Sequence, residues 1–271
     1  MTSRHDTGRA RAADRAPGPA PDLSGFPGRA IGGAALLAAP LLWCGGLVLR
    51  HLALRGGAFT DAELRAFEAR PFMADAQLAA YAESPLLATA AHALFAAGAM
   101  LLVPAVAALA RLVAPRSPRL AAAGAVLVAL GLLGRLYSAG VDAAAFAMVD
   151  DLGLGAATAT VSATYTDLAY GPWRVPVTAY FGQYIGVLLL AAAAHRSGVL
   201  GTGRAVLLVA WGWLWTGVLK EATVADCVIA AAAAVLVFAP LGVRVLRGTP
   251  GRAEPGGTAP RGTPPSRLVS W

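Results

Sequence analysis

The chain has 271 residues, of which 57% are hydrophobic and only 14% charged, with a mean hydropathy of +0.61. A soluble globular domain has about a quarter of its residues charged, so this composition excludes one and points to a membrane protein. The formal charge of +7 does not signal nucleic acid, because the basic residues lie in tails and short turns rather than along one face interleaved with aromatics.

Residues 1–28 are rich in Arg, Pro, Ala and Asp and carry almost no large apolar side chain, so they are expected to be a disordered tail. The apolar run that follows is too long for a signal-peptide core and is closed by no small-x-small cleavage site. Residues 29–246 hold six apolar runs: Ala30 to Leu49, Leu86 to Ala110, Leu120 to Val141 or beyond, Val175 to Ala194, Ala205 to Leu219, and Thr223 to Val243. Each is near the ~20 residues that cross a ~30 Å hydrocarbon layer, with the fifth the shortest. Residues 247–271, rich in Pro, Gly and Arg, read as a second disordered tail. The fold class is therefore all-α, a polytopic transmembrane helix bundle of about six spans.

An even span count puts both termini on one side of the membrane. Fifteen basic residues flank that side, in the two tails and in the turns around Arg111 to Arg119 and Arg196 to Arg204, against six on the other. The opposite side also holds ten acids from Asp61 to Asp226, Asp142 not counted. Positive residues are retained in the cytoplasm, so the expected placement is a multi-pass protein of the cytoplasmic membrane with both termini inside.

Two outer connections are long, 50–85 and 150–174. In the first, Thr60 followed by Glu63 fits a capping box, Pro71 interrupts the helix it starts, and a second short helix is predicted from Met73 to Ala82. The second ends at Gly171-Pro172-Trp173, where Tyr170 and Trp173 have the amphipathic character of interfacial anchors.

Counting ~1.5 Å per residue from the inner charged boundary of each span puts Arg135, His92, Tyr180, Gln183 and Lys220 between roughly 20 and 28 Å, in one outer layer, with Asp142 higher still. Two readings of this layer stand. Side chains near a span end snorkel to the headgroups and sit there without function. Alternatively, His92, Arg135, Asp142, Tyr180, Gln183, Tyr184 and Glu221 face inward and line a cavity open to the outside, since ionisable groups at membrane depth face protein or water. Arg135 and Asp142 share a helix face but stand about 10.5 Å apart along it, so Ser138 is a candidate bridge and Glu221 a candidate carboxylate for Arg135.

No catalytic, metal or cofactor set is expected. The four histidines are scattered, no Gly-x-Ser-x-Gly elbow surrounds Ser138 or Ser162, and no phosphate-cradling loop is present. Gly182-x-x-x-Gly186 has the form of a close-packing helix surface, within the chain or between two copies. Trp211, Trp213 and Trp215, spaced by two, fan around their helix. Cys44 and Cys227 reach similar depths, so two thiols and a disulfide are both allowed.

The segment His92 to Leu112, HALFAAGAMLLVPAVAALARL, followed by Pro118-Arg119-Leu120-Ala121 and by Gly124 and Gly131, resembles a family of uncharacterised multi-span membrane proteins of high-GC, actinobacterial-type bacteria. The resemblance covers about residues 30–135 and implies several spans but no activity.

The sequence alone thus favours a non-enzymatic membrane component, a partner or scaffold meeting another envelope protein. A small-solute or proton-coupled transporter using the outer polar layer is the alternative, and a membrane hydrolase the third. The lipid bilayer is the expected partner, and the oligomeric state is left open.

Overall fold

The computed structural model describes residues 24–70, 73–213 and 224–248. These form helices throughout, with no strand among the described residues: α1 (Gly28–Arg55), α2 (Asp61–Glu68), α3 (Ala74–Glu83), α4 (Pro85–Val113), α5 (Pro118–Leu152), α6 (Leu154–Tyr170), α7 (Val175–Arg196), α8 (Thr202–Trp213) and α9 (Val224–Arg247). A short 3-10 turn, Pro172–Arg174, joins α6 to α7. Five of these helices are long and apolar enough to cross a membrane: α1, α4, α5, α7 with its leading turn, and α9.

The helix boundaries have local causes. Pro85, Pro118 and Pro176 sit in first turns, where the missing N–H costs nothing and the fixed φ suits the helix. Gly153, at φ 78°, ends α5 in a conformation that a side chain resists, and lets α6 fold back antiparallel against it.

The α8 helix has 12 described residues, about 18 Å of rise, which is short of a bilayer. The expected fifth span continues into residues 214–223, which lie outside the described residues together with the two expected tails, 1–23 and 249–271. Helix contacts nevertheless give α8 a defined place. They run α4 to α1, α1 to α9, α9 to α8, α8 to α7, α7 to α5 and α5 back to α4, closing a ring of six helices.

Small residues allow the close pairs in this ring. In the α1–α4 seam a side chain at Gly98 would stand 2.6 Å from the backbone nitrogen of Trp43. In the α5–α7 seam Gly186 faces the backbone of Gly124 and Val128, so the Gly182-x-x-x-Gly186 pattern serves packing within the chain. The middle and basic end of the ring are filled by Leu36, Leu102, Leu109, Leu132, Leu190, Trp211, Phe238 and Leu241, all fully buried. Arg29 donates to the carbonyls of Val245 and Leu246 at the end of α9, and Arg116 to that of Ser197, which ties the basic end of the ring together.

The opposite end carries a cap. At 35 residues α5 is about 52 Å long, well beyond a ~30 Å hydrocarbon layer, and the excess is paired with α6 and α3. Ala74 and Leu78 of α3, Phe146 and Val149 of α5, and Ala157 and Val161 of α6 form a separate apolar cluster there. The buried Asp75 pairs with Arg70 and accepts from the Ser162 hydroxyl at 2.6 Å, which satisfies both of its oxygens. Tyr81 donates to the Asp150 carboxylate at 2.6 Å, and that bond holds its hydroxyl pKa above the ordinary 10.0.

Both short helices of the first connection are present at the expected positions. Thr60 accepts from the Glu63 backbone N–H at 3.3 Å, and Glu63 accepts from that of Thr60 at 2.8 Å, completing the box. The Thr60 bonds hold the Glu63 carboxyl below its usual 4.5. A depressed carboxyl stabilises the folded helix above the unfolded value and loses that contribution as pH falls through the folded one. Amides of α2 are therefore expected to exchange with solvent faster as pH drops below about 4.5, and Thr60→Ala to bring fast exchange at neutral pH. Equal exchange rates at pH 3 and pH 6, corrected for intrinsic rates, would contradict this.

Candidate functional site

Between the apolar filling of the ring and the cap lies a cavity of about 80 Å³, lined by residues of six helices. His92 comes from α4, Arg135, Ser138 and Asp142 from α5, and Tyr180 from α7, while Arg50 of α1, Gln77 of α3 and Tyr170 of α6 complete its polar wall. A polar space of this size holds about five waters.

Arg135 is the deepest charge. It lies 17 residues into α5, about 26 Å from the basic end of the ring, and is only 7% exposed. Its Nε donates to Gln183 Oε1 at 3.2 Å. Its guanidinium carbon lies 5.8 Å from the Trp43 ring centre and 5.3 Å from that of Tyr180, so aromatic faces on α1 and α7 hold the cation. Tyr184 is a further hydrogen-bonding neighbour of the guanidinium. Gln183 is fully buried, and its Nε2 has no hydrogen-bond partner among the described residues.

His92 and Asp142 meet at the upper wall. His92 Nε2 lies 3.3 Å from Asp142 Oδ2, and its Nδ1 lies 3.3 Å from the Ala88 carbonyl oxygen one turn earlier. Both side chains are more than four-fifths buried. Phe146 packs edge-on against the imidazole at 4.7 Å and is stacked in turn on Tyr81 at 4.5 Å, so the cap fixes the ring orientation.

Ser138 does not bridge Arg135 to Asp142. Its hydroxyl donates to Tyr180 Oη, which in turn donates to the Gly134 carbonyl at 3.0 Å, where α7 packs on α5. The structure thus brings His92, Arg135, Asp142 and Tyr180 to one cavity, with Gln183 and Tyr184 behind Arg135. Glu221, Lys220 and Trp215 lie outside the described residues, as does the side chain of Cys227. Trp211 is buried against Phe238 while Trp213 is half exposed beside Tyr184, as fanning around the helix requires.

Tyr170 lines the cavity and packs against the Arg174 guanidinium at 5.7 Å. Trp173 points outward, 96% exposed, on a turn with φ 50°. Sequence reasoning missed Trp43, Arg50 and Gln77. Only Gln77 had a signal, a polar residue in the middle of a short predicted helix beside the spans.

The site holds no group of three His, Cys, Asp or Glu side chains suited to a metal among the described residues. The arrangement can hold water, exchange a proton and attract a small anion. Searches of family models, curated proteins and solved structures find no match to this chain.

Proposed function

We propose that this chain is a protein of a bacterial cytoplasmic membrane that crosses it six times with both termini inside, and that its outward cavity binds a small solute with its passage coupled to a proton. The observation that carries the reading is the His92–Asp142 contact, 3.3 Å, on the wall of the water-sized cavity that Arg135 lines. Charged groups buried at membrane depth are costly, and three of them around one space is what solute or proton pathways need. The six-helix ring and the one-sided basic residues support the span count and orientation. The likeness to uncharacterised multi-span proteins of high-GC bacteria adds to the span count and nothing to the chemistry.

A partner or scaffold role is the second reading, favoured by Trp173, 96% exposed on the cap side. A hydrolase is not supported, because the Ser138 hydroxyl is engaged with Tyr180 rather than with His92.

Reconstituted in vesicles, the protein is expected to carry a solute-dependent proton flux that Asp142→Asn reduces to the level of protein-free vesicles. Flux unchanged in that variant would end the transport reading. Reporter fusions placing the carboxyl terminus outside would end the six-span reading separately.

A further inference from the structure

Resting on the membrane reading above, the exposed face of α7 marks where the acyl chains end. Between Val175 and Ala192 the exposed residues of this helix are Val175, Thr178, Phe181, Ile185, Leu188 and Ala192. They recur every three or four positions, so they form one face turned away from the ring. Thr178 is the one polar residue among them, and its hydroxyl donates to the Arg174 carbonyl at 2.8 Å, which satisfies that donor within the first turn. The face is therefore apolar over about 26 Å, close to the ~30 Å of a hydrocarbon layer. Exposed His195 and Arg196 close it at the basic end of the ring, and exposed Trp173 and Arg174 close it at the other.

Trp173 is held there against the preference of its backbone. Trp173 and Arg174 have φ of 50° and 59°, a left-handed region that residues with side chains avoid. The indole is 96% exposed, so almost none of it packs on the protein to offset that strain or the apolar area left uncovered. An indole is a flat apolar body with one N–H that can only donate. The layer that suits both parts is the junction of acyl chains and headgroups, where ester and phosphate oxygens accept. Trp173 stands at the end of an apolar face of bilayer length, so that junction lies at its own level. No second protein is required to cover it.

We infer that the Pro172–Arg174 turn is a lipid anchor: Trp173 lies at the phospholipid headgroup junction of the leaflet away from the basic end, its ring among the upper acyl carbons and its N–H on a lipid oxygen. The anchor also sets the level of the cavity. Tyr170 lines the cavity and carries the Arg174 guanidinium on its ring at 5.7 Å, so the wall beside the turn is held at the height of the headgroups.

Tryptophan emission in vesicles measures this. The full-length protein is reconstituted in phosphatidylcholine carrying bromine either high on the acyl chains or near their ends, and Trp173 is resolved from the chain's six tryptophans by subtracting the emission of Trp173→Leu. The Trp173 component is expected to lose about half of its intensity or more to the high bromines, less to the deep ones, and little to acrylamide added in the water. A component quenched by acrylamide and by neither lipid would overturn the anchor and leave Trp173 as a surface for a protein partner.

A second site separates the inference from the reading beneath it. Phe181, 62% exposed, lies on the same face about 9 Å further along α7 from Val175. In the Trp173→Leu background, Phe181→Trp is expected to be quenched more by the deep bromines than by the high ones. Lipid quenching at position 181 with none at 173 would make the anchor wrong and leave the span standing. In folded protein, absence of lipid quenching at both sites would remove the membrane reading itself.

Discussion

Gly186→Ala disrupts the helix bundle, whereas Gly182→Ala, four residues earlier on the same helix, leaves it intact. A methyl group at Gly186 would stand 2.8 Å from the Gly124 carbonyl oxygen and 2.8 Å from the Val128 nitrogen. These are backbone atoms of α5, so relief requires moving one helix away from the other. At Gly182 the nearest atoms are a leucine side-chain carbon at 3.5 Å and a carbonyl oxygen at 3.7 Å, which is ordinary contact. Overpacking of this kind costs about 1 to 3 kcal/mol, while exchanging a helical glycine for alanine without a clash gains up to about 1 kcal/mol. In detergent, the Gly186 variant is expected to show a lower Tm and a reduced monodisperse fraction, and the Gly182 variant an unchanged or raised Tm. Equal effects of the two would mean that α5 and α7 do not pack along this seam.

Arg135→Met is the second large effect, and its logic is the opposite: the loss comes from what is left behind. Methionine fills much the same volume and removes a buried charge, a change that is often neutral or favourable by itself. Gln183, however, is fully buried, its Nε2 lacks a hydrogen-bond partner among the described residues, and its Oε1 accepts from Arg135. Removing the donor strands the oxygen as well, at a cost of about 1 to 3 kcal/mol. Replacing both residues, Arg135→Met with Gln183→Leu, removes the stranded amide and is expected to recover most of the lost stability. A double variant no more stable than the single one would show that Gln183 is not the residue left unsatisfied.

Much of this arrangement was legible from hydropathy and depth. Apolar runs of bilayer length give α1, α4, α5, α7 and α9, and the Thr60–Glu63 spacing gives α2, because both signals are local. Counting rise per residue puts His92, Arg135, Tyr180 and Gln183 in one layer, and in the structure the first and second line one cavity with Tyr180 while Gln183 accepts from Arg135. It does not give the rotation of one helix against the next, so the stripe Arg135–Ser138–Asp142 on α5 and the stripe Tyr180–Gln183–Tyr184 on α7 do not by themselves say which side chains meet. Hence spacing along α5 makes Ser138 a candidate bridge between Arg135 and Asp142 when it serves Tyr180, and it carries no sign of the His92–Asp142 contact, 50 residues apart in sequence. The segment 150–174 carries many Thr and Gly residues, which are weak helix formers; α6 exists because it packs on α5 and α3, a tertiary cause invisible to local propensity.

One unbroken helix carries Arg135, Asp142 and Asp150, and it continues beyond the ring of six helices to Gly153. Such a rod has no joint at which a push on its exposed tip could be absorbed. A binder clamped to the α5–α6 hairpin would therefore act as a lever on the cavity some 20 Å further along the rod.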